Sequence, residues 1–531
     1  MRLAQSEEKM MESRSRRNFL AEVGKGMLTA GIGVTLAEEF GLASESPDKS
    51  GEKGAKRLDF GRLESLAAML QENSADKALA LSVERLQSGT SLRDLTAAAA
   101  LANARAFGGE DYVGYHAFMA LAPAYEMSKE RSLRHAALPV LKVLYRSTNQ
   151  IQSKGARASD TLTPLEGESV SANFPTENDL RESYRAREMG RAESQFHSIS
   201  RQSAQKALEA LQPLVQDDTD VHRVVLAYRA WDLLGLTGKE HAHTTLRQSV
   251  RYCVNAEKNR VAKGYPVSGI RTCLPKLMDQ YHLLESAPGQ RQAEDSWVKD
   301  LSETLLKSTP EGAAEAIAVA IREGFSLNVI GEALSLAATQ QTLRDPGRTA
   351  ALPGKPIGSV HGDSPGVHAS DSVNAWRNMA QACRRDHAVA GLITAGFHLA
   401  VAQRLDWAKL PGYPFAEHLI AVKTKDGAAL LRELETAIQE NHQARSAAIV
   451  HQYGALGYGA RPIFDLLLSY AVSEDGTLHA EKYYRTVAEE FGRTRKAFRW
   501  THLTALARVT ASEYGKRAEG YEETLRLLKL S

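Results

Sequence analysis

The chain repeats one histidine-bearing pattern, and this repetition limits the possible folds more than any other feature. Residues 111–117 (DYVGYHA) return as residues 363–369 (DSPGVHA), so that Asp111, Gly114 and His116 meet Asp363, Gly366 and His368 at an offset of 252. The offset then drifts slowly along the chain, with these further matches: His135 with His387 at 252, His197 with His451 at 254, and His222 with His479 at 257. An ordered drift of this kind is typical of tandem duplication.

A shorter match upstream extends the repetition. Gly89-x-Ser91-Leu92 corresponds to Gly324-x-Ser326-Leu327 at an offset of 235. The change of 17 residues falls in the Gly/Pro-rich segment 345–366, where an insertion is tolerated because surface loops vary in length. We therefore predict two tandem, internally duplicated halves, residues 58–307 and 308–531, packed with pseudo-two-fold similarity.

The apolar pattern predicts helices almost everywhere. Apolar residues recur at intervals of three and four, as in 92–106, 221–236 and 392–405, whereas alternating strand patterns are nearly absent. The content of 43% hydrophobic residues is enough for two ordinary cores or one large one. We predict an all-α fold, either a bundle or a helical-repeat arrangement.

The first residues resemble a twin-arginine signal peptide. Ser15-Arg16-Arg17-Asn18-Phe19-Leu20 precedes the apolar run 27–37, which is shorter than the roughly 20 residues that span a bilayer as a helix. We predict a signal over residues 1–43, cleavage near Ala43 and a flexible spacer over 44–57. These features imply a bacterial protein that the twin-arginine translocon exports to the periplasm or the exterior, without stable membrane insertion.

Charge and cysteine content exclude several classes of function. The predicted signal holds as many acidic as basic residues, so the mature chain keeps the whole-chain net charge of +2, and no nucleic-acid partner is implied. Cys253, Cys273 and Cys383 form neither CxxC nor CxxCH, which excludes zinc-ribbon and c-type haem sites. Cys253 and Cys273 could form a disulfide in an oxidising compartment, or all three could be buried thiols.

The repeated histidines are the strongest chemical signal in the chain. Imidazole is the commonest metal ligand among side chains, and helical bundles often assemble metal sites from facing helices. A recurring histidine could equally be a structural residue that the duplication copies. We take ten as candidate metal ligands and expect members of the two series to converge in space; they are His116, His135, His197, His222, His241, His368, His387, His451, His479 and His502. Either His241 or His243 could correspond to His502.

No complete metal motif accompanies these histidines. The chain has no H-E-x-x-H, so any site must combine distant helices, and imidazole ligands would favour iron or copper, with zinc as a further option, over calcium or magnesium. Asp111 and Asp363 lie five residues before His116 and His368 and could orient an imidazole through its second nitrogen. We interpret Asp218, Asp220 and Asp475 as helix caps.

Several segments of the chain are similar to known helical proteins. They are Asp220-Val-His222, Trp231-Asp-Leu-Leu234, Gly238-Lys-Glu-His241-Ala242 and Leu246-Arg247, with Gly114-Tyr-His116-Ala117 and Leu138-Pro139 upstream. Residues 80–255 and 315–515 resemble helical proteins that are sometimes fused to Rieske iron–sulphur domains and, more distantly, the questin oxidase-like family. Questin oxidase-like proteins are associated with oxygen insertion into aromatic ketones, so that resemblance implies oxidoreductase chemistry on an apolar substrate, with an aromatic substrate as one option.

Three functions fit the sequence. The first is an exported, metal-dependent oxidoreductase that acts on an apolar small molecule. The second is a helical-repeat binding or scaffold protein with structural histidines and no cofactor. The third is a periplasmic carrier for an apolar ligand, with aromatic side chains lining the pocket and histidines as polar anchors.

Overall fold

A computed structural model describes residues 57–165, 174–285, 289–351, 357–360, 362, 364–402 and 407–530. The predicted signal 1–43, all but the last residue of the spacer 44–57, and Asp363 lie outside these residues. Every regular element among the described residues is a helix, accompanied by two isolated β-bridges. The prediction of an all-α fold is confirmed.

Eleven α-helices precede residue 263 in the described ranges. They are α1 (Glu64–Glu72), α2 (Ala75–Gln87), α3 (Leu92–Phe107), α4 (Tyr112–Lys129), α5 (Leu138–Ser153), α6 (Glu177–Ala186), α7 (Met189–Ser200), α8 (Ala204–Val215), α9 (Val221–Asp232), α10 (Leu234–Thr237) and α11 (Ala242–Ala262). Short 3-10 helices cover Gly61–Leu63, Ala156–Ser159 and Lys239–His241.

The later described residues form a similar succession. It comprises α12 (Ile270–Gln280), α13 (Asp295–Lys307), α14 (Pro310–Arg322), α15 (Leu327–Arg344), α16 (Pro365–Ala382), α17 (Arg385–Ala402), α18 (Ala416–Ala421), α19 (Gly427–Gln439), α20 (Gln443–Ala455), α21 (Arg461–Ser473), α22 (His479–Arg493), α23 (Arg499–Glu513) and α24 (Tyr521–Leu527), with a 3-10 helix at Trp407–Lys409.

The matching Gly-x-Ser-Leu segments adopt the same local structure. Gly89 and Gly324 both have positive φ, at 96° and 84°, a conformation that glycine adopts without the steric penalty of a Cβ. Ser91 then accepts a hydrogen bond from the N–H of Asp94 at 3.0 Å and starts α3, and Ser326 accepts one from Val329 at 3.4 Å and starts α15. Both helices are buried on nearly all sides, as expected for helices at the centre of a large core.

Helices of the two predicted halves pack against one another. Helix α9 of the first half packs on α16 of the second, and α22 of the second packs on α4 of the first. One hydrophobic core contains residues from both halves, from Phe60 to Leu478, and the described residues outside 261–266 form one compact unit. The duplication itself stays a prediction, but this reciprocal packing is the arrangement that two similar halves would adopt.

No helix in the described ranges combines the length and the apolar composition that crossing a membrane requires.

Candidate functional site: four histidines at four helix starts

Four of the ten candidate histidines meet in the interior. Helices α4, α9, α16 and α22 contact one another in a closed ring, each packing on the next. His116 is the fifth residue of α4, His222 the second of α9, His368 the fourth of α16 and His479 the first of α22. Side chains on a helix lean towards its N-terminus, and the ring contacts show that the four imidazoles lie against one another. We call these four side chains the histidine cluster.

Three of the four ring separations in the histidine cluster are close to those of rings that share one ion, and the fourth is longer. Their centroids lie 4.9 Å (His116 to His222), 5.9 Å (His222 to His368), 5.2 Å (His368 to His479) and 5.0 Å (His479 to His116) apart. Four imidazoles bound to one ion through metal–nitrogen bonds of 2.0–2.1 Å would place adjacent centroids about 4.5 Å apart in a square and about 5.2 Å apart in a tetrahedron.

The Nδ1 atoms of three of these rings are held by groups outside the cluster. His116 Nδ1 lies 2.8 Å from the carbonyl oxygen of Tyr112, and His479 Nδ1 lies 3.1 Å from that of Thr477. A carbonyl oxygen only accepts, so Nδ1 of both rings carries the proton. His222 Nδ1 lies 3.1 Å from a carboxylate oxygen of Asp220. In neutral rings of this tautomer, Nε2 is left with a lone pair.

The Nε2 atoms are the groups whose bonding is incomplete. Among the described residues, Nε2 of His116 and Nε2 of His222 are buried and have no hydrogen-bond partner. Nε2 of His368 and Nε2 of His479 lie 3.2 Å apart, close to the separation of about 3.3 Å between two nitrogen ligands of one tetrahedral ion. No set of three or more His, Cys, Asp or Glu side chains in the described ranges has the geometry to hold a metal ion as placed. Binding of one ion by all four rings would therefore require their side chains to move.

Aromatic side chains from the first half cover one side of the cluster. The ring of Tyr115 lies 4.9 Å from that of His116 and 5.3 Å from that of His222, and the ring of Tyr112 lies 4.2 Å from that of His116. The hydroxyl of Tyr252 on α11 donates to Asp220 at 2.6 Å. Burial alone would raise the pKa of Asp220, but the hydrogen bonds from His222 and Tyr252 outweigh it and hold that pKa well below its usual range.

The second half places buried charge one turn beyond its two histidines. Asp371 follows His368 by three residues and accepts from Thr486 at 2.9 Å, and burial raises its pKa. Lys482 follows His479 by three residues, and burial lowers its pKa to about 8. Burial, with Lys482 as the next contribution, holds the pKa of both His116 and His479 well below the usual value. These rings are therefore neutral near pH 7, the state that binds metals.

Two other candidates are buried and hydrogen-bonded to side chains outside the histidine cluster. His502 on α23 has Nδ1 2.7 Å from the hydroxyl of Thr339 and Nε2 3.0 Å from that of Thr494. His387 on α17 has Nε2 3.1 Å from a carboxylate oxygen of Glu177. Their assignment as ligands of the same site as His116 is not supported, because hydrogen bonds already engage these nitrogens.

The remaining four candidates lie nearer the surface. His135 pairs with the hydroxyl of Ser132 at 2.9 Å in the turn before α5, and His451 is exposed on α20. His197 contacts His243, with ring centroids 4.7 Å apart, and His241 packs edge-on against Phe60. The structure brings none of these four into the histidine cluster.

Asp111, which was predicted to orient an imidazole, instead caps the start of a helix. Its carboxylate accepts the N–H of Gly114 at 2.7 Å, which caps α4, and also accepts from Gln150 at 3.0 Å. Asp220, which the sequence favours as a cap, accepts the N–H of His222 at 3.0 Å and also holds that imidazole. The carboxylate that orients a histidine thus lies two residues before it, where both groups sit at one helix start.

A separate cleft of about 960 Å³ lies beside His387. Its apolar walls include Phe174, Leu274, Met278 and Leu284, and its polar wall holds Glu177, Arg384 and His387. Arg384 donates to both carboxylate oxygens of Glu177, at 2.5 and 2.7 Å. Phe174 and Leu284 are about half exposed, at 47% and 48%, so apolar surface at the cleft is open to a ligand.

The three cysteines are free thiols, and Cys253 is buried. The structure therefore has no bridge between Cys253 and Cys273.

No protein-family model, no curated protein and no solved structure matches the chain.

Proposed function

We propose that this protein binds one transition-metal ion through Nε2 of His116, His222, His368 and His479. The observation that carries the proposal is the orientation of the rings. Nδ1 of three rings is engaged outside the cluster, while two buried Nε2 atoms have no partner among the described residues. An unpaired buried polar atom costs roughly 1–3 kcal/mol, and a shared ion would satisfy them all.

The metal we propose is iron or copper, and the activity is oxidoreduction. An all-imidazole site suits copper, iron, zinc and nickel and disfavours calcium and magnesium. The Tyr112 and Tyr115 rings cover the site on one side. An apolar cover limits the access of solvent to a metal ion and thereby influences its reduction potential. This proposal agrees with the resemblance to questin oxidase-like proteins, which itself stays a prediction.

An apolar small molecule is the substrate class that we propose, and the cleft beside His387 is its candidate binding place. Half-exposed Phe174 and Leu284 offer apolar contact, and the ion pair of Glu177 with Arg384 and His387 forms the polar wall of the cleft. Isothermal titration with a neutral aromatic ketone tests this assignment. We expect heat of binding that a Phe174→Ser variant loses; equal binding by both proteins would contradict the assignment.

The alternative function, a scaffold without a cofactor, has one observation in its favour. His502 shows that this fold uses buried histidines as purely structural residues, with both nitrogens bonded to threonines. In a scaffold, Nε2 of His368 would donate to Nε2 of His479 across their 3.2 Å separation.

Elemental analysis of the full chain, purified from its natural compartment, distinguishes the two functions. We expect about one iron or copper per chain, and loss of that metal in a His116→Ala plus His368→Ala variant. His502→Gln is the matched control, because it removes an equally buried histidine outside the cluster. Metal-free wild-type protein that also takes up no copper, iron or zinc on dialysis would leave the scaffold as the function.

We further propose export by the twin-arginine route, on the basis of Arg16-Arg17 and the short apolar run that follows. In a bacterial host we expect the wild-type chain in the periplasmic or external fraction and an Arg16→Lys plus Arg17→Lys variant in the cytoplasm. Unchanged distribution of the variant would contradict this route.

A further inference from the structure

The two halves hold their second histidine in different ways. Asp220 and Thr477 both lie two residues before a cluster histidine. Asp220 presents a carboxylate to Nδ1 of His222 at 3.1 Å, whereas Thr477 presents its backbone carbonyl to Nδ1 of His479 at 3.1 Å and its hydroxyl at 3.3 Å. A carboxylate on Nδ1 makes an imidazole a stronger donor to a metal than a neutral carbonyl does.

A third group acts on that carboxylate. The hydroxyl of Tyr252 donates to the second oxygen of Asp220 at 2.6 Å, while the first oxygen faces His222. Tyr252 lies 32 residues further along the chain, on α11, and its ring also packs on that of Tyr115 at 5.4 Å. Because the phenol withdraws charge from the carboxylate, it weakens the pull of Asp220 on the His222 proton.

We propose that Asp220 and Tyr252 form a positioning pair that sets the donor strength of His222, and through it the affinity and reduction potential of the metal. This inference rests on the proposed function, since it concerns the same ion. Asp220 strengthens His222 as a ligand, and Tyr252 limits that strengthening. The two residues therefore have opposite effects on the metal, although both stabilise the same part of the structure.

Because the two residues have opposite expected effects on the metal, one experiment distinguishes tuning of His222 from loss of structure. The full chain is loaded with Cu²⁺ alone, and its affinity is measured by competition with a chelator and its midpoint potential by redox titration. In Asp220→Asn, which keeps an oxygen for the helix cap and for His222, we expect copper(II) affinity to fall about 10- to 100-fold and the potential to rise. In Tyr252→Phe we expect the affinity to rise and the potential to fall.

His502→Gln is the matched control. It removes an equally buried histidine that lies outside the histidine cluster, so we expect wild-type affinity and potential. If Asp220 and Tyr252 were merely structural, Asp220→Asn and Tyr252→Phe would shift the copper affinity and the potential in the same direction. Melting of the metal-free variants measures any loss of folding separately. Shifts of equal sign, or no shift in either variant, overturn this inference. Wild-type protein that binds no copper, iron or zinc overturns the proposed function instead.

Discussion

His116 and His502 are two equally buried histidines with different hydrogen bonding. Each side chain is 1% exposed, and burial lowers the pKa of each. His502 satisfies both ring nitrogens with the hydroxyls of Thr339 and Thr494. His116 satisfies Nδ1 with a carbonyl oxygen of its own helix and directs a buried Nε2, without a partner in the described residues, towards three other imidazoles. Burial therefore does not separate the proposed ligand from the structural residue, whereas an unpartnered nitrogen among three other imidazoles does.

Removing one cluster histidine from each predicted half is the strongest test of the difference between His116 and His502. In His116→Ala plus His368→Ala we expect metal content to fall from about one ion per chain to none, and the rise in melting temperature on adding copper to disappear. Metal analysis and calorimetry of apo and loaded protein measure both. Retention of the metal by this variant would remove the distinction between His116 and His502.

The matching change at the structural histidine has a different signature. His502→Gln leaves buried threonine hydroxyls imperfectly paired, so we expect the free energy of unfolding to fall by about 1–3 kcal/mol. Metal content is expected to equal that of the wild type. Urea denaturation with metal analysis of the same samples tests both, and a loss of metal without a loss of stability would reverse the assignment.

The structural role of His502 also predicts how stability depends on pH. His502 has a folded pKa of about 4, lowered from its unfolded value mainly by burial, so the unfolded chain binds more protons than the folded chain between these values. Its contribution is present above about pH 6.5 and is lost as pH falls towards 4. We expect the urea midpoint of the metal-free protein to decline over this window, and less steeply in His502→Gln. Equal slopes for the two proteins would contradict the assignment.

The smallest expected effect is at the turn before α5. His135 contacts Ser132 at a half-exposed position. We expect His135→Ala to change the unfolding free energy by less than about 0.5 kcal/mol and to leave metal content unchanged. A measurable loss of metal would show that recurrence in sequence, rather than position in the fold, selects the ligands.

Part of this arrangement follows from sequence alone. The apolar pattern predicts a helix over residues 92–106, which is α3. The recurrence of His116 with His368 and of His222 with His479 singles out the four cluster residues within a larger set. The sequence could not separate them from His387 or His502, because the difference lies in tertiary neighbours. Thr339 lies 163 residues from His502, and Glu177 lies 210 from His387.

The surroundings of the cluster were also beyond the sequence, for the same reason. The cluster forms because α9 packs on α16 and α22 packs on α4, and no local pattern indicates which helices cross. Tyr252 reaches Asp220 only through the placement of α11. Asp220 itself has a local signal, since a carboxylate two residues before a histidine at a helix start can cap the helix and hold the imidazole together.

X-ray absorption at the metal edge of copper-loaded wild-type protein tests the four-histidine centre most directly. We predict one ion per chain with four nitrogen ligands at about 2.0–2.1 Å and the scattering pattern of imidazole rings, lost in His116→Ala plus His368→Ala and retained in His502→Gln. An ion surrounded by oxygen ligands, or the same spectrum from the cluster variant, would contradict the assignment of these four histidines.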